Sequence, residues 1–287
     1  MTHPSALRGA LLGLGAMAVY AANDNIIKFL GMYNPFQIMF FSGIALAPIV
    51  LTKMALDKEV GTFRPRMPKW MAMRCAVNLV NTVFVVYAFG NMPLAQAYAI
   101  FFTMPLMVTL LAAWMLGEPI SLWRGVAVLA GFVGVVIALQ PGQIPLTWVH
   151  LAAVVGAIAS AFNFVILRKT ANAERPEVNI IYPMLSQLAV ATLVLPFVYQ
   201  PMPLAHLALA GAMAVCGFGG AALIIAAYRA APAIIVAPMQ YSQILWAALT
   251  AAFIFDEGIT PATWAGLAVI IGAGLYILNS SRQTESA

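Results

Sequence analysis

The sequence predicts an all-α integral membrane protein with ten transmembrane helices, arranged as two inverted five-helix repeats around a central cavity. Composition, the length of the apolar runs and an internal repeat lead to this prediction. Hydrophobic residues make up 63% of the 287 residues and charged residues only 8%, whereas about a quarter of a soluble domain is charged. A chain with so little charge cannot cover its surface in water, which indicates that the lipid bilayer is its solvent.

Apolar runs of suitable length follow one another along the chain, separated by short polar or proline-containing turns. A hydrocarbon core about 30 Å thick needs roughly 20 helical residues, and runs that do not alternate with polar residues disfavour a β-barrel. Ten spans would use about 200 residues, which leaves no room for a folded domain outside the membrane. The predicted spans are 8–29, 35–53, 69–90, 95–116, 122–139, 147–168, 178–199, 205–228, 233–255 and 261–279.

An internal repeat relates the two halves of the chain at a shift of about 140 residues. Because five helices is an odd number, the second half must enter the membrane upside down relative to the first, an arrangement that suits alternating access. We therefore divide the chain into a first repeat, 1–141, and a second, inverted repeat, 142–287. The matching positions are Gly15 with Gly156, Lys28 with Lys169, Pro35 with Pro176, Pro93 with Pro232, Glu118 with Glu257, and Gly131 with Gly272.

The basic residues predict the orientation. If the N-terminus is cytoplasmic, every lysine and arginine except Lys28 lies on or near the cytoplasmic side, as the positive-inside rule requires. Ten spans then place the C-terminus in the cytoplasm as well. This distribution accounts for the net charge of +5 without a nucleic-acid partner.

The N-terminal run could be taken for a secretory signal, because Arg8 precedes an apolar stretch that ends in small residues. The repeat argues instead that this run is retained as the first helix. Cys75 and Cys216 both lie inside apolar runs, where packing is expected and a disulfide is not.

Two stretches carry a family resemblance: Pro93 with Gly117-Glu118-Pro119 and the glycine-containing helix that follows, and the echo of this pattern in the second half. They resemble the drug/metabolite transporter superfamily, specifically its ten-helix EamA branch. The resemblance covers essentially the whole chain, and the layout is similar to bacterial aromatic amino acid exporters of the YddG type. It implies an inner-membrane basket of ten helices whose cavity is lined mainly by the third, fourth, eighth and ninth, with the fifth and tenth packed outside.

The sequence departs from the small multidrug relatives of that superfamily, which carry a glutamate in the first helix for proton-coupled drug efflux. The first helix here has only Asp24, nearer its outer end, which argues against proton-coupled export of lipophilic cations. Asp24 could pair with Lys28 one turn further along, or it could hold a substrate ammonium group or a coupling proton. The sequence leaves both interpretations open.

Polar residues in the third helix predict a substrate-binding stripe. Arg74, Asn78 and Asn81 are spaced so that they share one helix face. The alternative for the asparagines is hydrogen bonding between helices. For Arg74 we expect the side chain to reach the cytoplasmic headgroups.

The eighth helix has glycines where the asparagines of the third would map. Gly219 is therefore predicted to leave room for the side chain of a solute, although glycine can also simply allow close helix packing.

The fourth and ninth helices each combine a mid-helix proline with polar and aromatic side chains. Such prolines free a backbone carbonyl and allow a helix to bend. We predict that the prolines act as kinks during gating and that the other residues bind the solute. These residues are Tyr98, Phe101 and Pro105 in the fourth helix, and Pro238, Gln240, Gln243 and Trp246 in the ninth.

Motifs for catalysis, phosphate binding or dinucleotide binding are missing from the sequence, and the three histidines are scattered near span ends. We therefore predict no catalytic residues, no metal and no cofactor. Phosphorylated solutes would require arginine or lysine in the cavity, whereas the predicted lining consists of amides, hydroxyls and aromatic rings.

The resulting prediction is a secondary transporter that exports amino acids, aromatic or neutral, by alternating access. Its partners are an amino-acid-like solute and the bilayer, and a monomer is compatible with the sequence. The alternatives are a carrier for other polar metabolites or drugs, and a membrane-embedded enzyme.

Overall fold

The computed structural model describes residues 3–56, 64–116, 122–140, 145–170, 173–174, 176–230, 239, 242–256, 258 and 260–285. Within these ranges the chain forms helices and no strands, so the all-α prediction is confirmed for them. The helices are α1 (His3–Phe29), α2 (Pro35–Leu56), α3 (Pro68–Asn91), α4 (Leu94–Phe101), α5 (Met104–Leu116), α6 (Leu122–Leu139), α7 (Trp148–Thr170), α8 (Pro176–Val198), α9 (Leu204–Ala230), α10 (Ser242–Ile254) and α11 (Pro261–Glu285).

Six segments of the described chain are long and apolar enough to cross a membrane. Large apolar side chains on the outside of the fold agree with a lipid environment: Trp148 is 81% exposed, Phe253 85% and Phe197 87%. Such surfaces are costly in water and suited to hydrocarbon. The six segments are Leu7–Phe29, Pro68–Asn91, Leu94–Met115, Trp148–Leu167, Val178–Val198 and Leu204–Ile224.

The predicted fourth span is not one continuous helix. A turn at Phe102 and Thr103 separates α4 from α5, and the Thr103 hydroxyl donates to the carbonyl oxygen of Ile100 at 2.6 Å. Pro105 is the second residue of α5, where its missing N–H removes no hydrogen bond from the new helix. The predicted mid-helix kink is therefore wrong in form, because the helix ends and restarts at this point.

The predicted ninth span, 233–255, is described only from Ser242 onwards, as α10. Residues 231–238, 240 and 241 lie outside the described residues. The predictions for Pro238 and Gln240 fall there.

The helices pack in pairs that bring the two halves of the chain together. α1 packs along α9, α3 along α7, α2 against α8, and α6 along α11. The last pair approaches very closely, since a Cβ atom built on Gly134 would lie 2.8 Å from the carbonyl oxygen of Gly266. Glycine at an interface lets two membrane helices approach backbone to backbone. The main buried cluster lies between α1, α2, α3, α4, α7 and α9, with Leu30, Phe89 and Tyr98 among its members.

Candidate functional site

A carboxylate from α1 meets two side chains from distant parts of the chain. The Oδ2 atom of Asp24 accepts a hydrogen bond from the Tyr98 hydroxyl at 2.6 Å and another from Nε2 of Gln243 at 2.9 Å. These three residues, which we call the carboxylate site, come from α1, α4 and α10. All three were among the predicted site residues, and the structure brings them together.

The position of Tyr98 follows from the short helix that carries it. Pro93 caps α4, and one turn later Tyr98 is only 3% exposed, so its ring is fixed by packing. Its hydroxyl reaches α1, where it donates to the carboxyl group of Asp24. A buried hydroxyl with a hydrogen-bond partner avoids the cost of an unsatisfied polar group, which favours this pairing inside the fold.

Aromatic rings surround the tyrosine of the carboxylate site. The ring of Phe89 stands edge-on to Tyr98 at 5.3 Å and stacks on Phe101 at 5.2 Å, while Phe102 lies 5.7 Å from Tyr98 on another side. Phe101 thus contacts an aromatic neighbour of Tyr98, and its predicted role in binding the solute stays a prediction. A carboxylate beside aromatic faces is suited to an organic cation, which both features attract.

Lys28 is directed away from the carboxylate that lies one turn before it. Its ammonium group donates to the carbonyl oxygen of Met92 at 3.3 Å and stands 5.0 Å from the centre of the Phe255 ring. The carboxylate of Asp24 is instead engaged by Tyr98 and Gln243. In the described part of the chain Asp24 and Lys28 form no ion pair with each other, and the other interpretation of Asp24 stays a prediction.

A second polar group, which we call the amide network, joins α3 to α7 and α8. Asn81 Oδ1 accepts from the Ser160 hydroxyl at 2.6 Å, and Asn78 Oδ1 accepts from Nδ2 of Asn163 at 3.2 Å. Gln187 Nε2 donates to the backbone carbonyl of Asn78 at 3.2 Å. The predicted α3 face therefore exists, and its asparagine oxygens bond to neighbouring helices.

Arg74 belongs to this network, and the prediction that it reaches the headgroups is wrong. The side chain is 8% exposed. Its Nε donates to Asn163 Oδ1 at 3.2 Å, and Nη1 donates to Asn179 Oδ1 at 2.9 Å and to the Asn179 carbonyl oxygen. Three acceptors within the protein thus take the place of lipid phosphates.

The two polar groups lie at different levels of the fold. Phe89, which touches Tyr98, follows Arg74 on the same helix at a distance of about 22 Å along the axis, at 1.5 Å per residue. Asn81, the member of the amide network nearest to Phe89 along α3, lies about 12 Å from it on the same measure.

Of the remaining predicted residues, Trp246 and Gly219 lie in the described part of the chain, and neither forms a hydrogen bond to these two groups there. Trp246 is 36% exposed, and its backbone carbonyl accepts a hydrogen bond from the Thr250 hydroxyl at 2.9 Å. No atom of the described residues lies within 4 Å of the position that a Cβ on Gly219 would occupy, so the space beside it is open in that part of the structure.

The sequence analysis did not predict a contact at the start of α2. The side chain of Gln37 is fully buried; its Nε2 donates to the carbonyl oxygen of Gln200 at 2.7 Å, and its Oε1 accepts from the Gln200 N–H at 2.9 Å. Nearby, the Tyr33 hydroxyl lies 2.7 Å from Nδ1 of His206. These bonds tie the start of α2 to the connection between α8 and α9.

A cavity of about 410 Å³ lies elsewhere, near the start of α1. Among the described residues of its lining Arg8 is the polar one, and the others are Leu7, Leu11, Leu12, Gly15 and Leu223. Leu7 and Leu11 are mostly exposed, so this cavity is a groove in the lipid-facing surface. The carboxylate site is the better candidate for a polar solute.

Long apolar helices that direct buried polar side chains towards one another define a multi-pass membrane protein with internal polar sites. The model of the EamA-like transporter family matches residues 7–140 and again residues 147–280. The chain therefore belongs to the EamA-like transporter family, which confirms the predicted family and its transporter class.

Relatives with names agree on transport and differ in solute. A protein named S-adenosylmethionine uptake transporter from Rickettsia bellii is 27% identical over 98% of both chains. A protein named riboflavin transporter from Rhizobium johnstonii is 30% identical over 70% of this chain and 67% of its own. A crystal structure with 16% identity matches with a TM-score of 0.62, covering 99% of this chain and 100% of that one, and shows the fold alone.

Proposed function

We propose that this chain is a secondary transporter for amino-acid-like solutes that carry an organic cation beside an aromatic or apolar group. Free aromatic amino acids and S-adenosylmethionine both belong to this class. S-Adenosylmethionine combines an α-amino acid group, a sulfonium cation and an adenine ring. The proposal thus joins the predicted amino acid substrate to the solute for which the Rickettsia relatives are named.

One observation carries the proposal, namely the carboxylate site. Its acid is held by two neutral donors, Tyr98 and Gln243, so its charge is not cancelled by either of them. Placing a carboxylate inside a membrane protein costs free energy, and residues of this kind usually serve a function. An ammonium or sulfonium group could take the place of the Gln243 amide next to Asp24 and rest against the ring of Tyr98.

The test is flux into proteoliposomes with the variant Asp24→Asn, which keeps the shape and removes the charge. We expect the apparent affinity for S-adenosylmethionine and phenylalanine to fall by about 10- to 100-fold, the range for loss of one charged interaction. The matched control is Asp256→Asn at an exposed acid, where φ is 53° and asparagine is well tolerated. Flux at the wild-type rate in Asp24→Asn would refute the role of the carboxylate.

The direction of transport is part of the same experiment. The sequence prediction is export, whereas the Rickettsia relatives are named for uptake. Loading the solute on either side of the vesicle membrane measures both directions separately.

Riboflavin is the second candidate solute, favoured by the relatives named for it and by the stacked rings of Phe89 and Phe101. Riboflavin is neutral and has a flat ring system, so its binding would use the aromatic residues and not the carboxylate. Riboflavin flux that is unchanged in Asp24→Asn, together with no flux of amino acids, would favour this alternative.

For the architecture we propose ten spans in the bacterial inner membrane, with both termini cytoplasmic and two inverted repeats, 1–141 and 142–287, that alternate access to the solute. The helix pairing supports this arrangement. Exchanging the repeats converts the pair α1 with α9 into the pair α7 with α3, and both pairs are present. An exchange of this kind between equivalent conformations is how inverted repeats face the two sides of a membrane in turn.

A further inference from the structure

The guanidinium of Arg74 is a buried positive charge, and each group of the described residues that accepts a hydrogen bond from it is neutral. Its acceptors are two asparagine side-chain oxygens and one backbone carbonyl, and among the described residues no acid forms an ion pair with it. A charge at this depth is costly without a counter-charge. Within the described residues the amide network therefore holds this cation by neutral acceptors.

The arginine is also held in a fixed orientation. Nε and Nη1 are used by Asn163 and Asn179, and these acceptors are positioned by further bonds. The Thr170 hydroxyl donates to Asn179 Oδ1 at 3.2 Å, and Asn163 Nδ2 donates to Asn78 at 3.2 Å. Nη2 donates to no residue in the described part of the chain, so one arm of the fork is available.

Further donors continue along the same face of α3. Asn78 and Asn81 use their side-chain oxygens as acceptors, and within the described ranges their Nδ2 groups donate to nothing. Neighbours at i and i+4 on a helix lie about 6 Å apart. A carboxylate placed between Nη2 of Arg74 and Nδ2 of Asn78 could accept from both, and planar guanidinium groups are well matched to carboxylates.

We propose that Arg74 is a binding residue for the carboxylate of the solute, with Asn78 as a second donor and Asn163 and Asn179 as positioning residues. This inference rests on the proposed function, since it assumes an amino-acid-like solute. Because Arg74 and Phe89, which touches the tyrosine of the carboxylate site, are about 22 Å apart along α3, the carboxylate and the cation of a small solute are bound at two places in turn.

The test uses two probes that each carry one half of the amino acid head: 3-phenylpropionate, a carboxylate, and phenethylamine, a cation. Their dissociation constants are measured by calorimetry on the purified full-length protein. Arg74→Gln should lower the affinity for 3-phenylpropionate by about 10- to 100-fold and change the affinity for phenethylamine by no more than about twofold. Asp24→Asn should lower the affinity for phenethylamine and leave that for 3-phenylpropionate nearly unchanged. Lys69→Gln, which removes an exposed cation from the same helix, is the matched control.

The outcomes separate the two claims. Arg74 is structural and the inference is wrong if Arg74→Gln lowers the affinity for neither probe or lowers both affinities equally. The inference is also wrong if the wild type does not bind 3-phenylpropionate. If Asp24→Asn leaves the affinity for phenethylamine unchanged while Arg74→Gln lowers that for 3-phenylpropionate, the proposed role of the carboxylate site is wrong and the role of Arg74 is supported. Should Arg74→Gln not fold, Arg74→Lys keeps the charge but loses the planar fork, and a selective loss of 3-phenylpropionate affinity is then expected.

Discussion

The variant Gln37→Met tests how firmly the two halves are joined at the start of α2. The side chain of Gln37 makes two hydrogen bonds with the backbone of Gln200, at 2.7 and 2.9 Å. Methionine has a similar length and volume, so the change removes the bonds without leaving a large cavity. It does leave the N–H and carbonyl groups of Gln200 without these partners.

The expected loss of stability follows from this geometry. A buried hydrogen bond contributes about 1 kcal/mol net, and a stranded polar group costs more, so two bonds correspond to at least about 2 kcal/mol. For a chain of this size each kcal/mol lowers the melting temperature by about 2–4 °C. We therefore expect a fall of roughly 4–8 °C, partly offset because methionine is more apolar than glutamine.

The assay is thermal unfolding of the detergent-purified protein, followed by tryptophan fluorescence. Gln200→Met is the matched control, because Gln200 uses only backbone atoms in these bonds and its side chain is exposed. The reasoning would be refuted if Gln37→Met melted within about 1 °C of the wild type, or if both variants lost the same stability.

Two more predictions concern topology and solute size. In a background in which the native cysteines are replaced by alanine, single cysteines at Pro145 and Pro201 should react with a membrane-impermeant maleimide on intact cells, and one at Arg64 only after permeabilisation; any other pattern contradicts the ten-span orientation. Gly219→Leu should reduce flux of S-adenosylmethionine more than flux of alanine, because leucine fills the open space beside this residue, whereas an equal loss for both solutes would show that Gly219 only serves packing.

The helical pattern of polar residues was predictable because it is local. Asn78 and Asn81 share a face in any helix, and that face is present. The same reasoning could not predict where Arg74 points, since the acceptors that hold it come from α7 and α8, 89 and 105 residues further along. Asn179 gave no signal of its own in the sequence, because an asparagine near a span end is expected in any membrane protein.

The carboxylate site was predictable in its members and not in its arrangement. Tyr98 lies 74 residues from Asp24, and Gln243 lies 219 residues from it, so only tertiary packing decides that they meet. The contact of Gln37 was not predictable from the sequence, because its partner is the backbone of Gln200 and the Gln200 side chain takes no part. The break between α4 and α5 had a visible cause in Pro105, but sequence alone does not distinguish a kink from a new helix.

The close contact between α6 and α11 sets a limit on movement. Where Gly134 and Gly266 touch backbone to backbone, few side-chain rotamers are available to rearrange, so sliding of one helix past the other would force backbone atoms into one another. These two helices should therefore move as one rigid body through the transport cycle. Fluorophores placed on the two helices would report a constant distance. The pair can therefore serve as a fixed reference for measuring the motion of the other helices.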